Sequence, residues 1–239
     1  MQTVFDPTKF TVSKAKPLPV LLLLDVSGSM NEGVGGESSK IQVLNEAVKQ
    51  MIDSFADEEK METEFLVSII TFGGTANNFL MPTTASTVKW TNMMADGGTP
   101  MGEAFLKAKT LIEDKEIIPS RAYRPTVVLV SDGAPTDSWE GPLESLITDG
   151  RSSKCFFMAM GIGEEPGTKV LEKFISQTPV LAEVNGNKVP NKVFQAADAK
   201  NIREFFRKVT MSVTTRSKSQ NPNNIPASSN SSEEDGGYW

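Results

Sequence analysis

Residues 21–30 read LLLLDVSGSM. An unbroken aliphatic run that begins at Val20 stops at Asp25, and hydroxyls follow at Ser27 and Ser29. Continuous aliphatic character over so few residues predicts a strand covered on both faces, as in the parallel sheet of an α/β fold. That strand delivers a D-x-S-x-S cluster to its carboxyl end. Oxygen-only ligands select a hard cation, Mg²⁺ with Mn²⁺ or Ca²⁺ as alternatives, and Mg²⁺ keeps positions open for water or for another molecule's oxygen.

Outward from this stretch, NEGVGGESSK follows Met30, and its glycines at 33, 35 and 36 predict a mobile rim loop. Lys40 lacks the preceding Gly of a phosphate-cradling loop, so no nucleotide is implied. A helix from Ser38 or Ser39 to about Ala56 is expected, with Ile41, Leu44, Val48, Met51, Ile52 and Phe55 on one face. Phe65–Phe72 reads as a second strand. Gly73-Gly74 then leads to a third around Phe79–Thr83, antiparallel at the edge. Pro100–Ile118 reads as a helix whose entrance, Gly97-Gly98-Thr99-Pro100, points a hydroxyl outwards or caps the helix. Thr126–Ser131 is a fourth strand, ending at Asp132. Strands one and four flanking the point where strand order reverses would bring Asp25, Ser27, Ser29 and Asp132 together.

Beyond Asp132, Asp137 and Trp139 lie in a polar loop, where Trp139 either anchors a partner or staples a short helix, Leu143–Ile147, to the body. Together with Met30, these two are the candidate partner-binding residues. Phe156–Ile162 is the expected fifth strand, followed by a helix over Thr168–Gln177. The sixth strand falls at Pro179–Val184, with Val193–Phe194 as the alternative. A last amphipathic helix, Asn201–Ser212, turns Ile202, Phe205, Phe206 and Val209 inwards. The expected organisation is a lead-in over residues 1–16, one domain over 17–214 and a flexible Ser/Asn/acidic tail over 215–239.

Composition removes several function classes. The net charge of −6 offers no field to draw in nucleic acid or an anionic membrane. No apolar run approaches the roughly 20 residues that a spanning helix needs, and the first residues lack a signal-peptide core, so a cytoplasmic protein is expected. Zero histidines exclude Ser-His-Asp and Cys-His nucleophilic chemistry and most catalytic zinc sites. The single cysteine, Cys155, sits in an apolar run and reads as a core residue.

Taken together, DVSGSM, the GGTP turn and the SDG that ends the fourth strand resemble the metal-ion-dependent adhesion site (MIDAS) of von Willebrand factor A domains. The resemblance spans roughly Pro17 to Thr214. It implies a Rossmann-like, three-layer α/β fold with a mostly parallel six-stranded sheet, one antiparallel edge strand and helices on both faces. It also implies Asp25, Ser27, Ser29, Thr99 and Asp132 as metal ligands. SDGAPTDSW, GIGE and FFRKVTMSVTTRSKS are similar to the bacterial TerY-like proteins of tellurium-resistance and stress-response clusters. That finer resemblance implies a PP2C-type phosphatase and a Ser/Thr kinase as partners.

Neutral hydroxyls donate weakly, so an ion held by two carboxylates and three hydroxyls stays electrophilic and favours an added carboxylate from a partner's Asp or Glu. A metal-dependent protein-binding module without enzymatic activity is therefore expected. One alternative is a cofactor of a chelatase- or MoxR-type AAA+ ATPase. Another is a metal-dependent hydrolase, which Ser27 disfavours by standing where a phosphoryl-transferring D-x-D arrangement would need a second aspartate.

Overall fold

A computed structural model describes residues 16–36, 38–59, 63–163, 167–184, 187–224 and 227–228. In chain order its elements are β1 (Pro17–Asp25), α1 (Lys40–Glu58), β2 (Glu64–Gly73), β3 (Thr75–Thr84), α2 (Met101–Glu113), β4 (Thr126–Ser131) and α3 (Glu140–Thr148), then β5 (Phe156–Ile162), α4 (Thr168–Ile175), β6 (Val180–Val184), β7 (Asn187–Pro190), β8 (Phe194–Ala196), α5 (Ala199–Lys218) and β9 (Ala227–Ser228).

Every residue of β1 is buried, because the strand is paired in parallel on both edges, with β2 and with β4, and covered on both faces. Its alternation divides the core in two. Leu18, Val20, Leu22 and Leu24 face one apolar cluster with residues of α1 and α5, while Leu21 and Leu23 face another with residues of α2, α3 and α4. β4 and β5 alternate in the same way, so the fold is three layers, helices on either side of one sheet. The strand order β3-β2-β1-β4-β5-β8 is parallel throughout except for β3, which pairs antiparallel with β2. The expected fold class is the observed one.

Several expected elements differ in detail. The sixth strand is β8, which includes Phe194 of the alternative, because Val180–Val184 leaves the main sheet and pairs with β7 and β9 in a small second one. α2 ends at Glu113 rather than Ile118, although Ile118 remains buried. α4 closes at Ile175, two residues before the expected Gln177. α5 runs past Ser212 to Lys218, so a domain boundary at 214 falls inside a helix whose Arg216 is only 1% exposed. Residues 1–15 of the lead-in expected over 1–16, and the acidic end of the tail, residues 229–239, lie outside the described residues.

The rim loop is tied down where it is described. Gly33 and Ser39 form a bridge, the Val34 N–H donates to the Ser38 carbonyl, and Val34 itself is buried. An aliphatic side chain between the glycines thus pins the loop to the core. Ser39 then starts α1 with a reciprocal capping box, exchanging hydrogen bonds with Gln42.

Candidate functional site

The sheet reverses direction of growth between β1 and β4, and at that switch point the carboxyl ends of both strands open a crevice. Three loops converge there. The Gly28 N–H donates to the Gly97 carbonyl at 2.9 Å and the Asp96 N–H to the Val26 carbonyl at 2.8 Å, so the loop before α2 lies along the end of β1. Close approach depends on glycine. Gly97 has φ of 73°, and a Cβ there would stand 2.5 Å from the Gly74 nitrogen. Thr99 and Thr136 are joined reciprocally: the Thr99 N–H donates to Thr136 Oγ1 at 3.0 Å and the Thr136 N–H to the Thr99 carbonyl at 2.9 Å. The loop after β4 is thereby tied to the loop before α2.

Within this frame, Asp25 is fully buried at the last position of β1. Its Oδ1 accepts from the Ser27 N–H at 2.8 Å and its Oδ2 from the Ser131 hydroxyl at 2.5 Å. The second contact follows from register, since Leu24 pairs with Val130 and the next step sets Asp25 beside Ser131. Burial pushes the Asp25 carboxyl up to about 6, against hydrogen bonds from Ser131 and Ser27 that lower it, and the charge of Asp132 adds to the rise. The Ser27 and Ser29 hydroxyls are 3.1 Å apart, and Ser29 donates to Asp132 Oδ1 at 2.8 Å. One hydrogen-bonded chain therefore joins Asp25, Ser27, Ser29 and Asp132. Thr99, 6% exposed, sits on the loop held beside them.

Lys40 enters this cluster although its sequence context did not mark it. Its ammonium donates to Asp132 Oδ2 at 2.8 Å, to Glu32 Oε2 at 3.0 Å and to the Ser29 carbonyl at 3.4 Å. Burial alone would lower its pKa, but the hydrogen bonds to Asp132 and Glu32 outweigh that and leave it raised. Lys40 follows the Ser39 cap as the first residue of α1, where the macrodipole opposes a cation, and the carboxylates of Asp132 and Glu32 offset that opposition. Ser131, the other residue missed, follows directly from β1–β4 register.

The three candidate partner-binding residues are placed differently. Met30 is fully buried in the core beside α1 and presents nothing to a partner, because the short 3₁₀ turn Gly28–Asn31 rotates it inwards. Asp137 accepts from the Gly102 and Glu103 N–H groups, both at 2.9 Å, and so caps α2. Trp139 is half-buried against the core cluster of α2, α3 and α4, a position in which it packs α3 to the body.

Chemically, the cluster offers hard oxygen donors and two carboxylates, a set suited to a divalent cation rather than to a soft metal. Among the described residues no group of three or more His, Cys, Asp or Glu side chains gathers in a metal-holding arrangement, at this cluster or elsewhere, so the cluster's donor set depends on its hydroxyls. Cys155 is buried, and burial pushes its thiol up to about 12, as suits a core residue. Among the described residues no helix is long and apolar enough to cross a membrane.

A switch-point cluster of this composition in a three-layer α/β fold defines a class that comparison with known proteins makes specific. The model of the von Willebrand factor type A domain matches residues 20–134, a span that contains all five candidate ligands. The fold of the chain is the three-layer fold of von Willebrand factor type A domains. Similar solved structures include a von Willebrand factor type A protein from Catenulispora acidiphila, at 20% identity and TM-score 0.59 over 84% of this chain and 43% of that one. Proximal thread matrix protein 1 from the mussel byssus, with a zinc-occupied MIDAS motif, is 18% identical with TM-score 0.57 over 84% and 46%. The pilus adhesin SpaC from Lactobacillus rhamnosus GG is 12% identical with TM-score 0.63 over 85% and 31%. The chain thus spans less than half the length of each, and at these identities the likeness is one of fold. No curated protein sequence matches the chain.

Proposed function

We propose that the cluster at the ends of β1 and β4 is a divalent-cation site, with Asp25, Ser27, Ser29, Thr99 and Asp132 as its donors, and that the bound ion captures a carboxylate of a protein partner. The observation that carries this reading is the hydrogen-bonded chain from Asp25 through Ser27 and Ser29 to Asp132, held on three loops at the switch point. Proximal thread matrix protein 1, of the same fold, holds zinc at its MIDAS motif. The oxygen-only donors of this chain favour Mg²⁺ instead.

The protein acts by binding and not by catalysis in this reading, since it holds no histidine and the neutral hydroxyls leave the ion electrophilic towards an acidic side chain. A cytoplasmic setting and a kinase–phosphatase partnership in stress response or tellurium resistance complete the proposal. Their support is the similarity of SDGAPTDSW, GIGE and the α5 sequence to TerY-like proteins, together with the lone, buried Cys155. Calorimetric titration with Mg²⁺ and Mn²⁺ tests the site itself. Saturable binding to the wild type and none to Asp25→Ala, with unchanged circular dichroism, is the expected result. Equal binding to both would place the ion elsewhere.

A further inference from the structure

The two oxygens of Asp132 have different partners. Oδ1 accepts from Ser29 and Oδ2 from Lys40, each at 2.8 Å. The Asp132 side chain is fully buried and that of Lys40 is 11% exposed, whereas Glu32, the second anion at the ammonium, is 69% exposed and screened by water. All three protons of the ammonium have an acceptor once the Ser29 carbonyl is counted. The backbone also fixes Lys40, because its N–H donates to the Glu32 carbonyl at 2.8 Å where the rim loop closes. A cation is thus held at a helix N-terminus, against the macrodipole, by a loop and a carboxylate of the proposed ion site.

We propose that Lys40 is a tethered counter-cation, which holds Asp132 in position and competes with the divalent ion for it. The inference rests on the reading of the cluster as a cation site. An ammonium 2.8 Å from one oxygen of Asp132 repels a second cation at the other oxygen, and it cancels half of the charge that Asp25 and Asp132 bring. Ion binding is weak and reversible as a result. A partner's carboxylate restores the missing negative charge, so ion and acidic partner bind together more tightly than either binds alone.

The test compares the wild type with Lys40→Met by calorimetric titration with Mg²⁺ and by thermal unfolding in EDTA. Mg²⁺ should bind Lys40→Met at least about tenfold more tightly, because repulsion at close range in a buried site is removed. In EDTA the melting temperature should fall by about 10 °C, since Asp132 is left buried without its pair, and Mg²⁺ should restore it. The double variant Lys40→Met/Asp132→Asn should recover most of that loss in EDTA. If Lys40→Met does not fold in EDTA, folding restored by Mg²⁺ or in the double variant supports the proposal, and folding restored by neither overturns it. Unchanged or weaker Mg²⁺ affinity in Lys40→Met, beside measurable binding to the wild type, overturns the role of Lys40 and leaves the cation site standing. Binding to neither protein removes both.

Discussion

At the scale of single residues, Asp25 sets the electrostatics of the site. A carboxyl whose folded pKa, about 6, lies above its ordinary 3.8 makes the folded state the better proton binder in the window between those values. Stability from this group is therefore present at low pH and is lost as pH rises through that window. In chelator, the wild type should lose about 2 kcal/mol relative to Asp25→Asn between pH 4 and 7, measured by urea unfolding at several pH values. A difference that stays flat across the range would mean that Asp25 ionises in place without penalty. A divalent ion would supply the charge that burial withholds, so Mg²⁺ should flatten the wild-type profile. Asp25, Ser27, Ser29 and Asp132 were legible in the sequence because strand ends announce themselves by a sharp change from aliphatic to polar. Lys40 and Ser131 were not read, since their roles depend on tertiary register. Met30 misled because its neighbours are polar while its own side chain turns into the core.

At the scale of elements, the loop that carries Thr99 is positioned by two devices. Asp137 caps α2 through the Gly102 and Glu103 N–H groups, so Asp137→Ala should cost about 1 kcal/mol and loosen the entrance to the helix. Chemical denaturation reads the loss, and hydrogen exchange should place it at residues 99–104. Gly97, with positive φ, packs its α-carbon against Gly74, and Gly97→Ala should destabilise by about 2 kcal/mol or more through strain and contact together. A neutral result at Gly97 would mean that the two loops separate without consequence. Helices and buried strands were legible through their periodicity and aliphatic content. β6 and β8 were harder, because both are short and separated in the chain only by β7, and only pairing with β5 decides which joins the main sheet.

At the scale of the whole molecule, the sheet carries the candidate site at one end and is clamped at the other. Arg216 of α5 donates to Thr126 Oγ1 at 2.6 Å, to the Arg124 carbonyl at 2.8 Å and to the Pro222 carbonyl at 3.0 Å, and its guanidinium stacks over Phe156. These contacts fasten the last helix to the starts of β4 and β5. The polar sequence after Thr214 concealed this, since composition reads serine and threonine as tail while one arginine decides the packing. Truncation after Thr214 should therefore lower the melting temperature by about 10 °C. The three-layer fold itself was legible because β1 is aliphatic on both faces, which only a sheet covered twice accommodates. The function proposed for that fold comes down to whether ion and partner arrive together. A pull-down from lysate with the immobilised wild type and Asp25→Ala, each in Mg²⁺ and in EDTA, measures this directly. The prediction is one or more partners retained by the wild type in Mg²⁺ and lost in the other three lanes, while the same partners retained in EDTA or by Asp25→Ala would contradict capture through the ion.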